Sequence, residues 1–141
     1  MGILIAVEGM DGSGKSTQAD LLYHWLRAQG LPVHHTEWNS SPLVKEVTKL
    51  GKSTKSLLPR TFHLIHAADF ADRWARQIEP MLKVGGIVIC DRYLYTAIAR
   101  DGARGVPREV VDATYSFARE PDLTLLFDVP VEVGLKRILK G

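Results

Sequence analysis

A single cysteine, Cys90, stands among the 141 residues, so the chain can close no internal disulfide and build no cysteine-based metal site. That fits a reducing compartment. Long apolar runs are missing as well: no stretch nears the ~20 residues that span a bilayer, and no basic segment precedes an apolar one at the N-terminus. Nor is there a surplus of one charge. The 18 Lys and Arg against 16 Asp and Glu leave a formal +2, too little to argue for a nucleic-acid or membrane partner. Repeats, low-complexity tracts and linkers are absent too. The expectation is one cytoplasmic domain over residues 1–141.

What is present centres on Gly9-Met10-Asp11-Gly12-Ser13-Gly14-Lys15-Ser16, followed by Thr17. It fits the phosphate-binding pattern G-x-x-x-x-G-K-[ST] without a gap. Ile3 to Val7 before it is a short apolar run of buried-strand type, and Gln18 to Gln29 after it carries apolar residues at helical spacing until Gly30. Strand, glycine turn and helix are the setting the motif needs. Glycines let successive N–H groups point at one anion, and the helix N-terminus adds positive potential. Lys15 then reaches the β- and γ-phosphates of ATP, and the Ser16 hydroxyl ligates Mg²⁺.

Along the rest of the chain, strands are expected at 31–36, 87–90 and 123–129. Helices are expected at about 43–50, 94–101, 107–119 and 131–139, with a long one from Pro59 towards Lys83 that Pro80 should bend. Gly51 to Ser56 reads as a basic, polar loop, solvated rather than phosphate-binding. Strands alternating with helices imply an α/β fold, a three-layer α/β/α arrangement of the P-loop NTPase type with a parallel sheet.

Three segments together are selective: Val7 to Thr17, then Cys90-Asp91-Arg92-Tyr93, then Pro121 to Val129. In order and spacing they resemble the thymidylate kinases across essentially the whole chain. The resemblance implies phosphoryl transfer from ATP to a nucleoside monophosphate, dTMP above all, with nucleotides as partners and a homodimer by analogy. No general base is needed, because the acceptor phosphate is already largely dianionic. Cations that hold two polyanions in line are needed. The family's roles fall on Lys15, on Arg92 gripping the acceptor phosphate, on Asp91 near Mg²⁺ with Ser16, and on Asp11 at the acceptor's sugar end.

The departures cluster where the acceptor is read. The family has Phe-x-Ala-[Asp/Asn]-Arg on the long helix, its Phe stacking on thymine. Without gaps those positions fall on His66 and Phe70; with a three-residue deletion Arg73 supplies the arginine. His66, Phe70 and Arg73 share one helix face, although Phe70 and Trp74 also suit core packing. A Tyr-Gln or Phe-Thr pair is replaced by Arg100-Asp101, with Arg104 one turn on; both arginines add acceptor-side cations unless they pair with Asp101 and Glu109 at the surface. Glu37 to Ser41 replaces the family's Arg-Glu-Pro-Gly-Gly. The family continues into a mobile lid and an adenine-side strand and helix. The expectation is therefore a domain truncated before them at Gly141, with Gly12 in the loop leaving the catalytic arginine to that lid. Lys136, Arg137 and Lys140 read as a solvated helix end. A kinase of another small phosphate-bearing acceptor, or a non-catalytic ATP-binding module, stays open.

Overall fold

The computed structural model describes residues 1–55 and 57–140. Its sheet has four parallel strands, β1 (Ile3–Gly9), β2 (Val33–Glu37), β3 (Ile87–Asp91) and β4 (Leu123–Phe127), in the order β2-β3-β1-β4. Side chains alternate across a strand, so each central strand feeds both faces. Leu4, Ala6, Val88 and Cys90 pack on one side with Phe70, Trp74 and Ile78, while Ile5, Val7 and Ile89 pack on the other with Ala19 and Leu26. Helices cover both faces, which makes the predicted three layers.

Helix α1 (Lys15–Ala28) follows the glycine loop, and α2 (Lys45–Thr54) follows β2. The basic stretch expected as a loop is helical through Thr54, because Thr48 and Gly51 lie on the buried side one turn apart; Ser56 lies outside the described residues. The long helix is broken into three parts. After α3 (Pro59–Arg73) comes a π-helical turn, Trp74–Ile78, and then α4 (Glu79–Lys83). Pro80 has no N–H and its ring crowds the carbonyl one turn back, so the helix widens just before it. The Trp74 indole N–H donates to Glu79 at 3.0 Å across that turn.

Helices α5 (Leu94–Gly102), α6 (Arg108–Thr114) and α7 (Val131–Lys140) complete the chain. The expected helix at 107–119 stops at Thr114; Tyr115 turns into the core, where its ring stands edge-on to Trp38 and Phe70. His63 on α3 ties α5 and α6 together, its Nδ1 2.7 Å from Asp101 Oδ2 and its Nε2 2.9 Å from Thr114 Oγ1. The carboxyl ends of β1 and β3 lie side by side, with Val7 opposite Asp91. In an open parallel sheet that end is where ligands bind.

Candidate active site

The glycine loop leaves β1 at Gly9 and returns as α1. Gly12 and Gly14 have φ of 79° and 88°, left-handed values that a side chain would strain. Gly14 is the residue before α1, and no side chain caps it there. The helix therefore offers its first N–H groups and its positive end to an anion.

Below the loop sits a compact charged cluster. Lys15 Nζ lies 3.0 Å from Asp91 Oδ1 and 3.1 Å from Ser16 Oγ, and the Ser16 hydroxyl donates to Asp91 Oδ2 at 2.6 Å. Lys15 and Asp91 are both buried, so burial is offset by pairing. Among the described residues no three His, Cys, Asp or Glu side chains converge as a metal cage. Mg²⁺ in nucleotide sites takes one or two protein oxygens and completes its shell with phosphates and water. Ser16 and Asp91 supply such a pair, so the donor set fits the ion.

Arg92 follows directly at the end of β3, and its φ of 69° is unusual for a residue with a Cβ. The strained turn holds because Arg92 N–H donates to Val7 O at 2.7 Å. It turns the guanidinium out of the sheet to pair with the Asp11 carboxylate. Buried Glu8 fixes the next helix, accepting from Thr96 Oγ1 at 2.6 Å and from Thr96 N at 3.3 Å.

A cavity of about 470 Å³ opens from this cluster. Lys15, Ser16 and Asp91 line it together with Asp11 and Arg92, while Arg100, Arg104, Lys52, Glu37, Trp38, Asn39 and Phe62 form the remaining wall. Lys52 is held below the usual lysine range by burial first, then by Arg100, Arg92 and Arg104. The wall is thus positive before any ligand enters. Arg100 lies over the Trp38 ring at 4.6 Å and Arg104 over Phe62 at 3.8 Å.

The residues singled out from sequence divide here. Asp11, Lys15, Ser16, Asp91, Arg92, Arg100 and Arg104 meet at this cavity. His66, Phe70 and Arg73 do not: His66 and Phe70 are 0% exposed and Arg73 is 1% exposed. Arg73 Nε donates to Asp69 at 3.0 Å and Nη1 to Thr36 at 3.1 Å, so its charge is spent inside the fold. Asp69 also accepts from Asn39 N at 2.9 Å and Ser41 N at 2.8 Å, which fixes the loop that carries Trp38. Asp101 turns inward to His63 rather than pairing with Arg100.

Trp38 and Phe62 are not among the site residues expected from sequence, and Lys52, expected in a solvated loop, lines the cavity instead. Phe62 lies one helical turn before His66, so stepping four residues back along the wheel finds it. Trp38 announces itself only as an aromatic at the carboxyl end of β2.

A second cavity, about 270 Å³, lies beyond the loop between Gly12, Gly14, Thr17 and Arg137. Arg137 Nη1 donates to Gly12 O at 3.0 Å, so this residue is docked on the loop rather than free at a helix end.

The family model for thymidylate kinase matches residues 7–141. The chain is 51% identical over 140 residues to a probable thymidylate kinase 2 of Saccharolobus solfataricus, across 99% of this chain and 65% of that protein. It is 37% identical over 142 residues to a probable thymidylate kinase of Pyrococcus abyssi, across 96% and 69%. Against a thymidylate kinase of Pseudomonas syringae pv. tomato it is 39% identical over 143 residues, across 96% and 68%. The crystal structure of thymidylate kinase from Ehrlichia chaffeensis superposes with a TM-score of 0.83 at 30% identity, covering 99% of this chain and 85% of that one.

Proposed function

The chain belongs to the thymidylate kinase family, and we propose that it phosphorylates dTMP to dTDP at the expense of ATP. The observation that carries this reading is the single cavity that joins Lys15, Ser16 and Asp91 to Arg92, Arg100, Arg104 and Lys52. One set of groups suits a triphosphate, the other a monophosphate, and the shared space lets the two meet in line.

ATP lies with its phosphates on the N–H groups of the glycine loop and α1, where Lys15 reaches the transferring end. Ser16 and Asp91 would hold Mg²⁺, which would neutralise charge on the donor phosphates. Lys15 then exchanges its contact with Asp91 for phosphate. Arg92 exchanges Asp11 for the acceptor phosphate, its fork gripping two oxygens at once. Neither exchange would leave an unpaired buried charge, because Asp91 would hold the cation with Ser16 and Asp11 is 71% exposed. Arg137 on the loop stands at the donor side.

The chain spans 65% of the S. solfataricus relative's length. A different monophosphate acceptor is the second reading, favoured by Arg100, which stands beside Trp38 on the cavity wall where the resemblance expects a Tyr-Gln or Phe-Thr pair. Partners in this reading are nucleotides, with no nucleic acid or membrane, and the setting is the cytoplasm. Among the described residues no helix is long and apolar enough to cross a membrane. A homodimer is supported by the exposed Leu43, Val47, Leu50 and Leu64 on α3 and around α2. The test of function is phosphoryl transfer from ATP to dTMP, dUMP, dCMP, dGMP and dAMP, with dTMP expected to give the highest kcat/KM.

A further inference from the structure

Among the described residues no aromatic face lies open to the cleft that should receive the acceptor's base. Trp38 and Phe62 both reach the wall, yet they are only 7% and 6% exposed. Arg100 covers Trp38, and Arg104 covers Phe62 with its guanidinium carbon 3.8 Å from the ring centre. Arg104 itself is exposed and lines the cavity, so its guanidinium stands between the Phe62 ring and the open space.

That group is fixed from two sides. Its Nη1 donates to the Arg100 carbonyl at 3.0 Å, one turn back. Beneath it, Phe62 lies against His66, ring centres 4.0 Å apart and planes tilted by 34°, and His66 Nδ1 contacts the Phe62 carbonyl at 2.8 Å. The result is a pile of three planar groups, His66, Phe62 and Arg104, rising from the core to the cavity. His66 holds the position expected from sequence to stack on a base, but it lies two layers down.

We propose that the acceptor's base stacks on Arg104, whose guanidinium plane is backed by Phe62. The inference rests on the reading of this cleft as an acceptor-nucleotide site. Guanidinium planes stack well on both aromatic rings and nucleobases. A base laid on Arg104 extends the pile by one layer and needs no rearrangement of the wall. Arg92 remains for the phosphate, and Arg100 stands beside the base edge.

The experiment compares two ligands on the protein and its Arg104→Lys variant: dTMP, and 2-deoxyribose 5-phosphate, which has the phosphate but no base. Lysine keeps the charge and loses the plane. Stacking on one base predicts roughly a tenfold loss of dTMP affinity with 2-deoxyribose 5-phosphate within about twofold of the parent. Phe62→Leu, which removes the backing ring, should lower dTMP affinity by less and again leave 2-deoxyribose 5-phosphate within about twofold of the parent.

An equal loss for both ligands overturns the proposal, because it makes Arg104 a phosphate clamp. Unchanged or tighter dTMP binding overturns it as well, the second result meaning that Arg104 covers a ring the base prefers. If the parent binds dCMP, dGMP or dAMP in place of dTMP, the same comparison with that nucleotide decides. A parent that binds none of these nucleotides removes the acceptor reading and this inference together, whereas a parent that binds with an indifferent variant removes only the inference.

Discussion

Lys15 Nζ lies 3.0 Å from Asp91 Oδ1, and the pair is nearly sealed from water, with side chains 8% and 5% exposed. The lysine that should hold phosphate therefore also neutralises a buried carboxylate in the free protein. Sequence places Lys15 beside a ligand and outside the core, which would make its removal harmless to folding. The geometry says otherwise. Lys15→Met should abolish measurable ATP binding and also lower stability by about 3 kcal/mol, since one partner of a buried pair is left alone. Adding Asp91→Asn should restore much of that stability, which urea denaturation of both variants measures. A single variant as stable as the parent would show that the pair contributes nothing to folding.

Arg92 faces Asp11 across the mouth of the same cavity. Arg92→Lys keeps the charge and loses the fork, so dTMP binding should weaken by roughly a factor of ten, about 1.4 kcal/mol. ATP affinity should stay the same. Calorimetric titration of each nucleotide separates the two, and equal losses would move Arg92 off the acceptor side.

Arg137 touches the loop through Gly12 O. Arg137→Ala should weaken ATP severalfold and leave dTMP affinity unchanged, with stability shifted by no more than about 0.5 kcal/mol for an exposed side chain. A fall in acceptor affinity instead would place the guanidinium across the cleft.

Phe70 separates packing from recognition. It is fully buried, against Trp38, Tyr93 and Tyr115. Phe70→Leu should therefore cost about 1–2 kcal/mol in stability while dTMP affinity at 20 °C holds. A tenfold loss of affinity with unchanged thermal stability would restore Phe70 as a base contact.

His66 predicts a pH dependence. Burial, reinforced by the nearby Arg100 charge, pushes its pKa down to about 4 from 6.5. In the fold it stays neutral until pH nears 4, whereas the unfolded chain takes up its proton on passing 6.5. Stability therefore falls as pH drops from 6.5 towards 4, by about 2 kcal/mol from this residue. His66→Phe keeps a ring beneath Phe62 and removes the titrating group, so its urea midpoint should change less between pH 7 and pH 4.5 than the parent's. Equal slopes for both would exclude His66 as the source.

Much of the site was legible because its chemistry is local. Gly9 to Ser16 is one contiguous loop whose glycines, lysine and hydroxyl act over a single turn, and Asp91-Arg92 sits at the end of the most apolar strand run. A contiguous motif survives any choice of helix register. His66, Phe70 and Arg73 did not, because membership of one helix face says nothing about whether that face meets the core or the cleft. Asp69 settles it. By capping the 39–41 loop and binding Arg73, it turns that face inward and leaves Phe62, a turn earlier, at the cavity wall.

The sequence by itself determined the fold class, the loop for the donor phosphates and the arginine at the end of β3, since each is written in neighbouring residues and a period of two or 3.6. Only the tertiary structure decided which rings and cations line the cavity. Trp38, Lys52, Phe62, Arg100 and Arg104 come from the turn after β2, from α2, α3 and α5, and from the turn after α5, and no spacing along the chain records their convergence. Local hydrogen bonds and side-chain alternation fix elements, whereas burial and charge pairing between elements fix what those elements face.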